Sequence, residues 1–169
     1  SRRLIFTSER AGVRNLFWQA VDGAGAAEQL TESPDTQYPT GVSPDGRRLI
    51  FTDESPTTAN DVMAIELDAT RRVTPLVQSP FTEQNGTVSP DGRWLAYETN
   101  ESGRFEIYVR PFPEVSSGRW QVSDAGGGFA RWSRVGKELF YRTNEGIMSA
   151  SIGVRGGSQH LLSALGEGD

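Results

Sequence analysis

Nine residues, Ser89-Pro90-Asp91-Gly92-Arg93-Trp94-Leu95-Ala96-Tyr97, read as a tight turn running directly into an apolar strand, and the chain repeats them. Ser43-Pro44-Asp45-Gly46-Arg47-Arg48-Leu49-Ile50-Phe51 is the same phrase 46 residues earlier, and Ser133-Arg134-Val135-Gly136-Lys137-Glu138-Leu139-Phe140-Tyr141 is a worn copy 44 residues later. Arg2-Arg3-Leu4-Ile5-Phe6 matches its second half. A unit that returns every 40–50 residues or so implies a solenoid, a propeller or an array, because one such unit cannot bury its own apolar surface and must stack on its neighbours.

The strands opened by Leu4, Leu49, Leu95 and Leu139 carry consecutive apolar residues, which predicts sheets covered on both faces. A second strand follows each: Asn15–Trp18, Asp61–Ile65, Glu106–Val109 and Gly146–Ser149. A third, outermost strand follows at 28–31, 73–77 and 120–123; Pro75 inside it suits an edge, since proline cannot donate to a ladder. A short strand rich in small residues precedes each turn, at 38–42, 85–88 and 129–132, as expected where backbones crowd toward an axis. Helical spacing is absent.

The fold class is therefore all-β, a propeller of four-stranded antiparallel blades, with blades near 1–34, 35–81, 82–125 and 126–165 of one domain. The first blade lacks its innermost strand, and the outer strand of the fourth must come from 159–162. An unpaired inner edge invites association, so a homodimer joined through the incomplete terminal blades is the expected assembly.

Each turn residue has a physical task. Pro44 and Pro90 preset φ, Asp45 and Asp91 bond the local backbone, Gly46, Gly92 and Gly136 take the left-handed conformation, and Ser43, Ser89 and Ser133 accept a local N–H. Arg134 and Val135 replace Pro and Asp in the last copy, which predicts a looser fourth blade.

Charge and composition exclude several functions. Seventeen basic against 22 acidic residues give a net charge of −5, no electrostatic footprint for nucleic acid and a mild preference for a basic partner. There is no apolar run long enough to span a membrane as a helix. Without cysteine there is no disulfide, thiolate metal site or thiol nucleophile. The sole histidine, His160, cannot build a multi-histidine site, and the triglycine 126–128 does not open a helix, so it is no phosphate cradle. No cofactor is expected.

The phrase Ser89-Pro90-Asp91-Gly92, followed by Glu106-Ile107-Tyr108-Val109, resembles the TolB-like family of propeller repeats, also associated with prolyl peptidases. The stretch from Phe105 to Tyr141 further resembles the C-terminal propeller of bacterial serine/threonine kinases fused to such repeats. The resemblance implies an accessory, partner-binding or gating domain. The sequence holds no Gly-rich kinase loop, no His-Arg-Asp loop and no Gly-x-Ser-x-Gly elbow, since Gly156-Gly157-Ser158-Gln159-His160 ends in histidine.

Two sets of residues could carry function. The hairpin tips hold Glu9, Asp53, Glu54, Asn100, Glu101, Asn144 and Glu145, which in a radial arrangement form an acidic arc on one face for a basic protein or peptide, or for a cation on oxygen ligands. Arg110, Arg119 and Arg131, with Trp132, pair residue types that anchor interfaces, although Trp94, Trp120 and Trp132 also suit filling between blades. The expectation is a non-enzymatic binding module that completes its ring by self-association. The alternatives are a hydrolase using Glu9, Asp53 or Glu54, or a piece of a larger kinase or peptidase.

Overall fold

The computed structural model describes residues 2–10, 12–57, 59–155 and 158–165, with β14 beyond Gly153 and all of β15 described as backbone only. Among the described residues, fifteen strands lie in four antiparallel sheets. The first sheet has three strands, β1 (Arg3–Ser8), β2 (Asn15–Ala20) and β3 (Glu28–Gln29), in that order. The second runs β4 (Thr36–Val42), β5 (Arg48–Ser55), β6 (Ala59–Glu66), β7 (Val73–Val77), and the third β8 (Glu83–Val88), β9 (Trp94–Thr99), β10 (Glu106–Pro111), β11 (Trp120–Gln121). The fourth runs β12 (Gly128–Trp132), β13 (Glu138–Arg142), β14 (Ile147–Arg155), β15 (Ser158–Leu165). Each sheet is a meander, the up-and-down order of a propeller blade. As the repeat predicts, the first sheet holds three strands among the described residues, with none inside β1, and β7 with Pro75 is an outer edge.

Three apolar seams hold the blades together, and the consecutive apolar residues explain how one sheet serves two of them. Leu49 and Phe51 of β5 pack with Leu16, Trp18 and Leu30 of the first blade, while Ile50 between them points to the third blade and meets Leu95 and Tyr97. Trp94 and Ala96 of β9 turn the other way, into a seam with Leu139, Tyr141 and Ile152. All six residues of β9 are buried. Trp94 and Trp120 meet edge to face at 5.7 Å, and Trp132 donates its indole N–H to the Thr87 carbonyl, so these tryptophans fill the third seam.

The terminal sheets differ from the expectation of two covered faces. In β13 buried Leu139 and Tyr141 alternate with exposed Glu138, Phe140 and Arg142, and Leu4 of β1 is 60% exposed. Among the described residues, the first and the last sheet each pack against one neighbouring sheet.

The turns are built as their residues dictate. Ser43 and Ser89 each donate their hydroxyl to the aspartate two residues on, at 2.6 Å, and accept a backbone N–H from Arg48 and Trp94. Asp45 and Asp91 accept the N–H of Arg47 and Arg93 at 3.1 Å. The Ser43 hydroxyl holds the Asp45 carboxyl below its ordinary pKa. The third turn, in the fourth blade, keeps Gly136 at φ 70° and its N–H on the Ser133 carbonyl, without the aspartate bonds.

The innermost strands share a second device that the repeat does not reveal. β4, β8 and β12 each shift register in the middle, and two of these bulges carry a non-glycine residue at positive φ, Asn85 at 55° and Phe129 at 58°. The N–H freed at each bulge is taken by the preceding blade: Asn85 donates to Thr52 Oγ1 at 3.3 Å and Phe129 to Glu98 Oε1 at 2.6 Å. Gly86 lies beside this crossing, where an added Cβ would stand 2.5 Å from Val62.

Candidate functional site

Glu9, Asn100, Glu101, Asn144 and Glu145 lie in the turns between strands, whereas Asp53 and Glu54 lie within β5 opposite Asp61 and Asn60, and most of the set is engaged with its own scaffold. Glu9 pairs with Arg14 across its hairpin at 2.5 Å, and Arg14 also donates to the Tyr38 hydroxyl of the next blade. Asp53 and Glu54 lie near the end of β5; Asp53 accepts from Gln37 at 2.7 Å and its partial burial raises its pKa, whereas Glu54 is exposed. Asn100 accepts the Thr82 N–H at 2.9 Å, and Asn144 and Glu145 are exposed in the last hairpin. Glu101 pairs with Arg119, whose hydrogen bond holds the carboxyl below its ordinary pKa. Among the described residues no three acid or histidine side chains are grouped to hold a metal. His160 stands opposite Gly153, and its side chain, like Gly156 and Gly157, lies outside the described residues.

A different set of residues builds a cleft. Between the outer parts of the second and third blades, a cavity of about 260 Å³ is lined by Leu76 and Phe81 from one side and by Tyr97, Arg110, Val115 and Arg119 from the other, with Glu83 also on its wall. The Tyr97 hydroxyl accepts from Nε of Arg110 at 3.2 Å and from Nε of Arg119 at 3.1 Å. Arg119 lies over the ring of Tyr108 at 4.0 Å, and the two tyrosine rings are 6.1 Å apart. Arg110 donates its Nη1 to the carbonyl of Val115, in the short 3-10 helix Val115–Ser117, which fixes the guanidinium between strand and loop. Of the residues singled out from sequence, this brings together Arg110, Arg119 and Glu101. Arg131 sits apart on β12, exposed, with its Nη1 on the Ala130 carbonyl.

Glu83 had no signal beyond polarity and is 3% exposed. Its Oε1 accepts from Ser79 at 2.5 Å and Thr99 at 3.4 Å, while Oε2 has no hydrogen-bond partner among the described residues. Burial pushes its pKa up, and the nearby charge of Asp61 adds to the rise. Register could have found such positions: Gln37 and Glu83 both stand six residues before a turn serine and both are buried. Asn15, Asp61 and Glu106, each the first buried position of a second strand, form another such series.

The geometry finds its counterpart in bacterial proteins. Over 50 residues, 30% of this chain, it is 42% identical to a protein TolB homolog of Chlorobium luteolum, of which the match covers 11%. The structure of a putative TolB from Agrobacterium tumefaciens superposes on 96% of the chain with a TM-score of 0.74 and 19% identity. The fold is that of a TolB-like propeller. TolB from Acinetobacter baumannii gives 0.71 at 18% identity over the same share, and a Mycobacterium tuberculosis puromycin-hydrolyzing peptidase 0.65 at 17%. This TolB-like chain spans 61% of the Agrobacterium protein, 41% of the Acinetobacter one and 30% of the peptidase, less than two thirds of each. No family model matches the sequence. Among the described residues no helix is long and apolar enough to cross a membrane.

Proposed function

We propose that this chain is a non-enzymatic binding module, one unit of four blades that takes a protein or peptide on its hairpin-tip face and completes its ring against a second copy. The observation that carries the reading is the exposure of large apolar side chains on the outer sheet faces at the two ends of the described row. Leu4 on the first blade is 60% exposed, and Phe140 and Ile147 on the last are 40% and 65% exposed. Exposed aliphatic and aromatic groups on sheets of this kind favour a covering partner, and among the described residues β1 is also the edge of its sheet. The exposed acids Glu54 and Glu145, with the net charge of −5, favour a basic partner for the tips.

Sedimentation velocity at rising protein concentration tests the self-association. The expected result is a monomer–dimer shift in the micromolar range, weakened by Leu4→Asp or Phe140→Asp. A strictly monomeric, stably folded chain at every concentration would overturn it. The likeness to a peptidase propeller supports a second reading, in which the end faces are covered by further parts of a longer chain that gates a catalytic domain. A monomer that dimerises only when cut from such a chain would favour that one.

A further inference from the structure

Phe129 occupies a backbone position that its side chain disfavours. The bulge holds it at φ 58° with its N–H on Glu98, and the same place in the third blade, four residues before the turn serine, carries Asn85 at φ 55°. Asparagine tolerates this conformation, whereas for a bulky residue it is an outlier, so the need to meet an acceptor explains the bulge but not the phenyl ring. Packing does not explain the ring either, since Phe129 is 61% exposed and belongs to none of the three apolar clusters. Strain kept on an exposed aromatic group points to a ligand. A second exposed ring stands close by: Phe105, also outside the clusters, accepts the Gly127 N–H on its carbonyl at 2.9 Å. On the other side, Gly128 is the register partner of Arg142. Phe105, Phe129 and Arg142, with Thr143 and Asn144, line one cavity of about 350 Å³ between the third and fourth blades, beside the last hairpin. Arg142 is the one charged residue on its wall; it is exposed, and among the described residues no carboxylate lies within ion-pair distance of it. The buried Glu98 carboxylate behind Gly128 is engaged by Gln84, Asn85 and the Phe129 N–H.

We propose that this cavity takes the last residue of a peptide that ends in an aromatic or branched aliphatic side chain, with the terminal carboxylate on Arg142 and the side chain against Phe105 and Phe129. Two exposed rings and a single positive charge, in a protein of net charge −5, call for an apolar group and an anion held close together. A C-terminal residue carries both on one α-carbon, whereas an internal residue has its side chain alone to offer. The guanidinium presents paired N–H donors to a planar carboxylate, and Asn144 adds an amide to the same wall. About 350 Å³ is at the small end of the roughly 300–1,000 Å³ of enclosing sites, which suits one terminal residue. The inference rests on the reading of the hairpin-tip face as the binding face and names the part of the partner it takes. Glu145, next to Asn144 but not on the cavity wall, is left for a basic residue upstream.

The test is NMR titration of the full chain with N-acetyl-glycyl-alanyl-phenylalanine, against the same peptide amidated at its C-terminus and against the free acid ending in serine. Saturable binding of the phenylalanine acid below about 1 mM is expected, with each of the other two at least about tenfold weaker. Backbone N–H shift changes are expected at Phe105, Phe129, Thr143 and Asn144. Arg142→Gln should weaken the acid by roughly tenfold and leave the amidated peptide unchanged. Phe129→Asn gives the fourth blade the residue type that the third already uses there. It should weaken binding by roughly tenfold while the urea midpoint of the free chain holds or rises. A lower midpoint would assign the ring to the fold and overturn the proposal, as would absence of saturation by the phenylalanine acid to about 10 mM or shifts confined to another part of the chain. Equal binding of the amidated peptide at the same residues would also overturn it, while leaving the tip face a peptide site. None of these results bears on the self-association, which sedimentation decides separately.

Discussion

Asn15, Asp61 and Glu106 begin equivalent strands and are each nearly fully buried, which is unusual for amide and carboxylate groups unless local donors meet them. At Glu106 those donors are the Ser123 hydroxyl at 2.5 Å, the Gly126 N–H at 3.0 Å and Arg104 Nε at 2.7 Å. In the triglycine after the third strand of this blade, Gly126 gives its N–H to the carboxylate from a left-handed φ of 94°, and an added Cβ at Gly127 would stand 2.7 Å from Ser123 Oγ. Asn15 does the same work with the backbone of Ser33, and Thr31 and Ser123 are matching hydroxyls that accept the N–H of Leu16 and Ile107. Their register marks these positions as a series, but their burial was not legible in the sequence, because a polar residue after a hairpin reads as solvated until its partner is known. Glu83 carries a pH consequence. Burial raises its folded pKa above the unfolded value, so the native state binds a proton the unfolded chain has already lost, and stability falls as pH rises through the interval above the ordinary glutamate value. Chemical denaturation of Glu83→Gln should therefore show little change near pH 4 and a gain relative to the unaltered chain toward pH 7, the reverse of the loss expected if a salt bridge held the group.

At the scale of single elements, the turn and its following strand were readable to within a residue or two, since proline, aspartate and glycine each act through local geometry that needs no tertiary partner. The two covered faces of β5 and β9 were readable as well, while the half-exposed β1 and β13 were not, because a strand's own residues do not say how many sheets pack against it. The inner-strand bulges escaped for the same reason: Asn85 and Phe129 take positive φ to meet an acceptor in another blade. The worn turn gives a direct test. Its backbone keeps the geometry of the other two, with Gly136 packed beside Pro90 of the preceding turn, so Arg134→Pro with Val135→Asp should restore the preset φ and both aspartate bonds. The double variant is expected to raise stability by about 0.5–1.5 kcal/mol, read as a higher urea midpoint at unchanged slope.

Across the whole molecule, every seam joins consecutive blades. Gln37 donates its N–H to the Arg14 carbonyl, Thr40 its hydroxyl to the Gly86 carbonyl at 2.6 Å, Phe129 its N–H to Glu98 and Gly127 its N–H to the Phe105 carbonyl. Each crossing stitches a blade to the one before or after it, and the apolar clusters follow the same rule. Energetically the row behaves as a one-dimensional array, in which each blade is stabilised by its own sheet and by its immediate neighbours. The interior blades have two neighbours and the end blades one, so the array should fray inward rather than open all at once. Native-state hydrogen exchange would display this as a gradient, with amides of β9 protected longest, those of β5 next, and those of β1 and β13 exchanging through small local openings. The bulge N–H groups of Asn85 and Phe129 become the natural reporters, because each is protected only while the blade before it is in place, and a partner clamped on the end faces would slow their exchange without touching them.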